Sequence, residues 1–266
     1  MIVRKHKGVK VMKNAIQNGI KIIAAVVTVV IMILTISVNI SPDFAMAMSD
    51  VPVLGGFVRV VTFERYENKI GGSEADFVIP KIEGLKNEEL MEEINSSLGN
   101  EAKLLIAEFE KEATALKNEY GDEAHIGMGS NYQVRTDNED YFALDVYFYH
   151  AAGSSITVHK YYTIDKKEGK LLKLEDMFKT DSNYVEIISE IVKKEMIRLN
   201  EEEEGMFWVE ADEYGDGFAG IKKNNSFFIN EDGNVVICFD KYEVAPGVQG
   251  SPEFVIAKEL VKDILK

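Results

Sequence analysis

The chain holds one cysteine in 266 residues, Cys238, so no disulfide can close within it. That cysteine sits in the apolar run Val235–Phe239 and reads as a small buried hydrophobe. Histidine is scarce too: His6, His125, His150 and His159. His150 and His159 flank a turn, and a centre at Gly153–Ser154 would set Phe148 opposite His159. The imidazoles are then offset, with no cysteine to join them, which argues against zinc. Ser154 and Ser155 lack the G-x-S-x-G setting of a hydrolase nucleophile. No glycine-rich loop opens a helix to cradle phosphate. Asp212–Gly217 starts like a calcium loop, but Tyr214 and Lys223 stand at the third and twelfth positions, where oxygen ligands are required. No catalytic constellation, metal set or cofactor site emerges, and the chain reads as a binding protein rather than an enzyme.

Charge of one sign is missing from each end in turn. The first 40 residues hold six bases and no acid, while the whole chain carries −15, so residues 41–266 carry −21. Such an acidic part excludes nucleic acid and attracts basic proteins or cations at long range. The basic start suits an anionic inner leaflet. Between them, Ile22–Val38 carries no charge. As a helix, Ile22–Ile40 would be roughly 28 Å long, about one hydrocarbon core. Bases on its N-terminal side alone place residues 1–21 in the cytoplasm and the remainder outside, on a single-pass cell-membrane protein. Pro42 cannot continue a helix. Ala45 and Ala47 then form an A-x-A-like signal peptidase site, with the cut between Ala47 and Met48 releasing the outer part. Constitutive secretion would leave the same pattern. Residues 41–56 read as this site and a linker.

The outer part alternates between strand and helix signals in blocks. Phe57–Tyr66 and Ala75–Pro80 read as strands. Asn87 caps a helix whose apolar residues recur at Leu90, Ile94, Leu98, Leu105, Phe109, Leu116 and Tyr120, with Gly99-Asn100 a candidate kink. Asn131–Thr136, Tyr141–His150 and Ile156–Ile164 are strands, the last two joined as a hairpin through Gly153. A second helix, capped by Asp181 or Ser182, presents Val185, Ile188, Ile191, Val192, Met196 and Leu199. Phe227–Asn230 and Val235–Glu243 form another hairpin. Glu253–Ile256 is a last strand and Lys258–Leu265 a closing helix. Hairpins without a βαβ rhythm predict an α+β fold with antiparallel sheets, in two subdomains, 57–168 and 169–266.

Two features point to partner binding. Glu201–Asp216 holds eight acids and no base, with Met206, Phe207, Trp208 and Tyr214 among them. Rings in an acidic field suit a basic protein, unless Phe207 and Trp208 merely pack beneath the loop. Lys241–Gly250 follows a strand with a proline and two glycines, which makes a rigid protruding loop.

Ser41–Ala47, Pro80–Leu85, Ala152–Ser155 and Phe239–Gly247 together resemble the RsiV-like anti-sigma factors of low-GC Gram-positive bacteria, whose outer domain pair also occurs in secreted polysaccharide deacetylases. The resemblance spans about residues 41–266. It implies a membrane-anchored sensor that binds lysozyme, a strongly basic protein. Binding exposes the site at Ala45, Ala47 and Met48 to signal peptidase; an intramembrane protease follows, and an extracytoplasmic-function sigma factor is released. The resemblance places lysozyme contacts at Ser154, Ser155, Pro246, Gly247 and Val248. Val248 stands where the family carries an aromatic residue, a loss on the order of 1–2 kcal/mol of binding. The basic tail is shorter than the family's sigma-binding portion and too small for an ordinary protein interface. That favours the alternative of a surface or secreted lysozyme-binding inhibitor without sigma-factor control.

Overall fold

The computed structural model describes residues 58–211 and 217–266. The predicted span Ile22–Ile40, the cleavage residues Ala45, Ala47 and Met48, and the calcium-like stretch at 212–216 lie outside the described residues. Among the described residues no helix is long and apolar enough to cross a membrane.

Six strands form the larger sheet in sequence order: β1 (Arg59–Ile70), β2 (Ser73–Glu83), β3 (Gly127–Asp137), β4 (Tyr141–Ala152), β5 (Ser154–Asp165) and β6 (Lys170–Leu171). Helix α1 (Glu88–Tyr120) connects β2 to β3. Its start is set as expected: the Asn87 side chain accepts a hydrogen bond from the Leu90 amide at 3.1 Å, and Glu88 and Glu89 sit in the first turn. It runs unbroken through Gly99, where an added Cβ would meet nothing within 4 Å. Gly99-Asn100 therefore does not split the helix. Gly121, at φ +68°, closes the helix by donating to the Lys117 carbonyl.

That helix also corrects the expectation of purely antiparallel sheets. β2 and β3 pair in parallel, Glu74–Phe77 beside Gly127–Ser130. A 33-residue helix is long enough to carry the chain back to the start of β2, so β2–α1–β3 is a βαβ crossover. The parallel ladder stops at Phe77, which leaves Pro80 with no β3 partner. Pro80 therefore lies within β2 rather than ending it. It faces Thr62, next to the β1 irregularity between Thr62 and Glu64.

The smaller sheet holds β7 (Phe227–Ile229), β8 (Val235–Cys238) and β9 (Glu253–Ile256). Helix α2 (Tyr184–Glu202) covers one of its faces through Ile188, Val192 and Met196. Its N-cap is Asn183 rather than Asp181 or Ser182. β8 ends at Cys238, five residues before the expected Glu243: the Phe239 amide still donates to the Pro252 carbonyl, but a proline has no N–H to return the bond. The closing helix α3 shrinks to Lys258–Val261.

Four layers result. In β4, Phe142, Leu144 and Val146 point to α1, where they meet Ile94 and Leu98. Between them Ala143 points the other way and meets Phe228, Val236 and Cys238 of the smaller sheet. β7 and β8 alternate likewise, with Ile229, Val235 and Ile237 toward α2. Two buried hydroxyls stitch the sheets together: Thr136 donates to the Ile229 carbonyl at 2.6 Å and Thr163 to the Phe227 carbonyl at 3.1 Å.

Candidate partner-binding surface

The β4–β5 hairpin and the chain after β8 meet at one end of the sheets. Ala152 pairs with Ser154 across Gly153, whose φ of +74° makes the tight reversal possible. This leaves Ser154 and Ser155 exposed at the tip. The second segment begins at a turn closed twice over. The Glu243 amide donates to the Asp240 carbonyl, and the Asp240 amide to the Glu243 carboxylate, both at 3.0 Å. Val244 and Ala245 are buried and pin the loop. Pro246 then leads into a 3₁₀ turn at Gly247–Gln249, where Val248 stands 78% exposed.

Every contact residue that the resemblance implied is thus at the same end of the body, and two residues tie the segments together. The Lys241 ammonium donates to the Ser155 carbonyl at 2.8 Å and its hydroxyl at 2.9 Å. The Tyr242 and Ser154 hydroxyls lie 3.2 Å apart, and the Tyr242 ring covers Gly247 so closely that a Cβ there would come within 2.4 Å of it. The Ser154 hydroxyl and the Lys241 ammonium together hold the Tyr242 phenol below its ordinary value. Sequence reasoning included Lys241 and Tyr242 in the loop but assigned them no role. A lysine and a tyrosine opening a glycine- and proline-bearing loop were the only signal.

Beneath this end lies a polar cluster between the sheets. The Asp145 carboxylate on β4, only 3% exposed in its side chain, accepts from His159 Nδ1 on β5 at 3.0 Å and lies 3.6 Å from Arg135 on β3. Arg135 reaches across to Glu253 on β9 with two bonds of 2.6 Å, and its guanidinium lies 4.3 Å from the Phe228 ring centroid. His159 stacks on Tyr161, which stacks on Phe228. The His159 amide donates to the Asp240 carboxylate at 3.1 Å, which joins this cluster to the loop above. Histidine pairing is also corrected: Tyr147, not Phe148, lies opposite His159, and His150 pairs with Ile156. The two imidazoles therefore point to opposite faces of the sheet, and His150 instead bonds Glu112 of α1 at 3.2 Å. Among the described residues no group of three or more ligating side chains is placed to hold a metal. Burial pushes the Cys238 thiol well up, which makes it unreactive.

His159 gives a pH prediction. Burial lowers its pKa, but the hydrogen bond and the charge of Asp145, together with the charges of Asp240 and Glu253, outweigh that, and the imidazole stays above its ordinary 6.5. A raised folded-state value means that folding favours the protonated ring. Its contribution is full below the unfolded value and is lost as pH rises through the folded one. Urea midpoints measured from pH 5.5 to 9 should fall over that window in the wild type, and His159→Gln should flatten the fall. Equal slopes would refute the assignment.

The acidic–aromatic stretch divides. Phe207 packs edge-on against Phe254 at 5.4 Å, and Asn200 bonds both its amide and its carbonyl. Met206 and Trp208 remain exposed on the other face, and the Trp208 amide donates to the Val244 carbonyl.

Residues 72–154 match the family described as deacetylase PdaC, and residues 175–259 the family described as protein of unknown function DUF3298. The chain is similar to the anti-sigma-V factor RsiV of Bacillus subtilis strain 168, 36% identical over 232 residues, covering 87% of this chain and 79% of that protein. It is 27% identical over 179 residues to the peptidoglycan-N-acetylmuramic acid deacetylase PdaC of the same organism, of which it spans only 37%. Among solved structures it resembles a DUF3298 member from Bacteroides fragilis (TM-score 0.59, 12% identity, 80% of this chain and 95% of that one). Another from Pseudomonas aeruginosa PAO1 gives 0.50 at 14% identity, over 79% and 94%. At such identities the likeness shows the fold alone, a sheet-dominated α+β body.

Proposed function

From the premise that the chain belongs to the RsiV family of anti-sigma factors, we propose that its acidic outer body binds lysozyme and thereby controls proteolytic release of a sigma factor at the membrane. The observation that carries this reading is the junction of the Ser154–Ser155 tip with the Pro246–Val248 loop through Lys241 and Tyr242. Two segments 86 residues apart form one exposed surface, and a rigid, preset surface loses less ordering entropy on binding. The −21 carried by residues 41–266 favours encounter with a cationic protein, and screening by salt should slow that encounter.

In this reading Ile22–Ile40 anchors the chain and lysozyme binding opens the Ala45–Ala47 site, so signal peptidase cuts before Met48. An intramembrane protease then acts on the remaining helix, and the sigma factor held inside goes free. The test is the size of the full-length protein on membranes with and without hen lysozyme. A drop matching loss of residues 1–47 only with lysozyme is expected. The shorter form in both conditions would leave a secreted lysozyme-binding protein without regulated cleavage. A full-length protein that neither binds lysozyme nor is cut would overturn the proposal.

A further inference from the structure

We infer that Tyr242 is the principal aromatic contact that this surface offers to its cationic protein partner, and that the loop holds it in place before the partner arrives. This rests on the lysozyme-binding reading above. Among the described residues three other than glycine have positive φ, namely Asp181, Glu204 and Tyr242, and only Tyr242 is bulky. At φ +70° its backbone lies in the left-handed region, which costs an aromatic residue strain. Strain of this kind persists where surrounding structure over-determines it. Here that structure is visible: the hydroxyl by Ser154, the ring against Gly247, the preceding Lys241 bound to Ser155.

What the strain does not gain is burial. The Tyr242 side chain stays 46% exposed, and it belongs to none of the hydrophobic clusters. A tyrosine kept strained and half out of the core serves folding poorly. As a contact residue it serves well, being large, amphipathic and already immobilised, which are the traits of residues that dominate interface energy. It also sits at the join, touching both the hairpin tip and the loop, whereas Val248 offers only a small apolar side chain at the rim.

A substitution to glycine separates the two roles. Tyr242→Gly relieves the left-handed strain and removes an exposed ring, so a purely structural tyrosine and a contact tyrosine predict different results. The experiment titrates hen lysozyme against the full-length protein in detergent micelles, for wild type, Tyr242→Gly, Tyr242→Phe and Leu104→Ala, with thermal midpoints in parallel. Tyr242→Gly should weaken binding at least tenfold, mainly through faster dissociation, with a midpoint equal to or above the wild type's. Tyr242→Phe keeps the ring over Gly247 and should bind within about threefold of wild type, and Leu104→Ala, exposed on α1 and outside this surface, should bind as wild type does. Wild-type affinity in Tyr242→Gly would overturn this inference while leaving lysozyme binding intact. A sharp fall in its midpoint together with lost binding would assign Tyr242 to folding instead and overturn it too. If wild type ignores lysozyme, the parent reading falls and this one with it.

Discussion

Arg135→Ala should destabilise the outer body by about 3 kcal/mol, the lower end of the cost of breaking a buried pair, because Asp145 is buried while Glu253 is partly exposed. The guanidinium is shared three ways: bidentate to Glu253, near Asp145, and over the Phe228 ring. Deleting it leaves Asp145 with only His159 as a cationic neighbour in a site that water hardly reaches. It also unlocks β9 from β3, because the Arg135–Glu253 fork joins one sheet to the other. Arg135→Lys should recover little, since an ammonium cannot form the two parallel bonds. Removing both charges in Arg135→Met/Glu253→Leu should cost less than the single alanine change, as no carboxylate of the fork is then stranded. Urea titration at pH 7 checks all three, read as midpoints at constant slope. A loss under about 1 kcal/mol for Arg135→Ala would mean that water replaces the guanidinium freely, as at an exposed pair.

How far this was legible in the sequence depends on the range of the interaction. Asn87 announced the start of α1 because capping is settled within four residues, and the Glu231–Asn234 turn and strand β9 were read for the same reason. Local chemistry misled where tertiary context outweighed it. Gly99 reads as a helix breaker, yet α1 continues because residues on both sides of it, Leu98 and Ala102, are buried against the sheet. Pro80 reads as a strand end, yet it lies in β2 where the neighbouring ladder has already stopped. The parallel pairing of β2 and β3 spans some 50 residues and leaves no local mark. At the surface, serines and a proline loop were visible as candidates, but the Lys241 and Tyr242 bonds that unite them arise from a hairpin 86 residues away. The Arg135–Asp145–His159–Glu253 cluster draws on four strands, β3, β4, β5 and β9, and no spacing rule connects them.

Phe109→Ala should cost at least as much, about 3–5 kcal/mol, through a different cause. The ring is fully buried, packed with Ala75 and Phe77 of β2, Ala113 of the same helix, and Ile126 and Met128 at the start of β3. Two of its neighbours are alanines and cannot swing in to refill the space, so most of the volume should stay empty. The position also matters for topology. Phe77 is the last residue of the parallel ladder and Ile126 immediately precedes β3, so this ring clamps the helix over the crossover itself. Leu104, five residues earlier, makes the control: it is 73% exposed, and Leu104→Ala should change stability by no more than about 0.5 kcal/mol. The contrast is sharper than any sequence period would set, because both are large apolar residues on one helix. If the two substitutions shift the urea midpoint equally, α1 does not lie on the sheet along the Phe109 face, and the layer order described above is wrong.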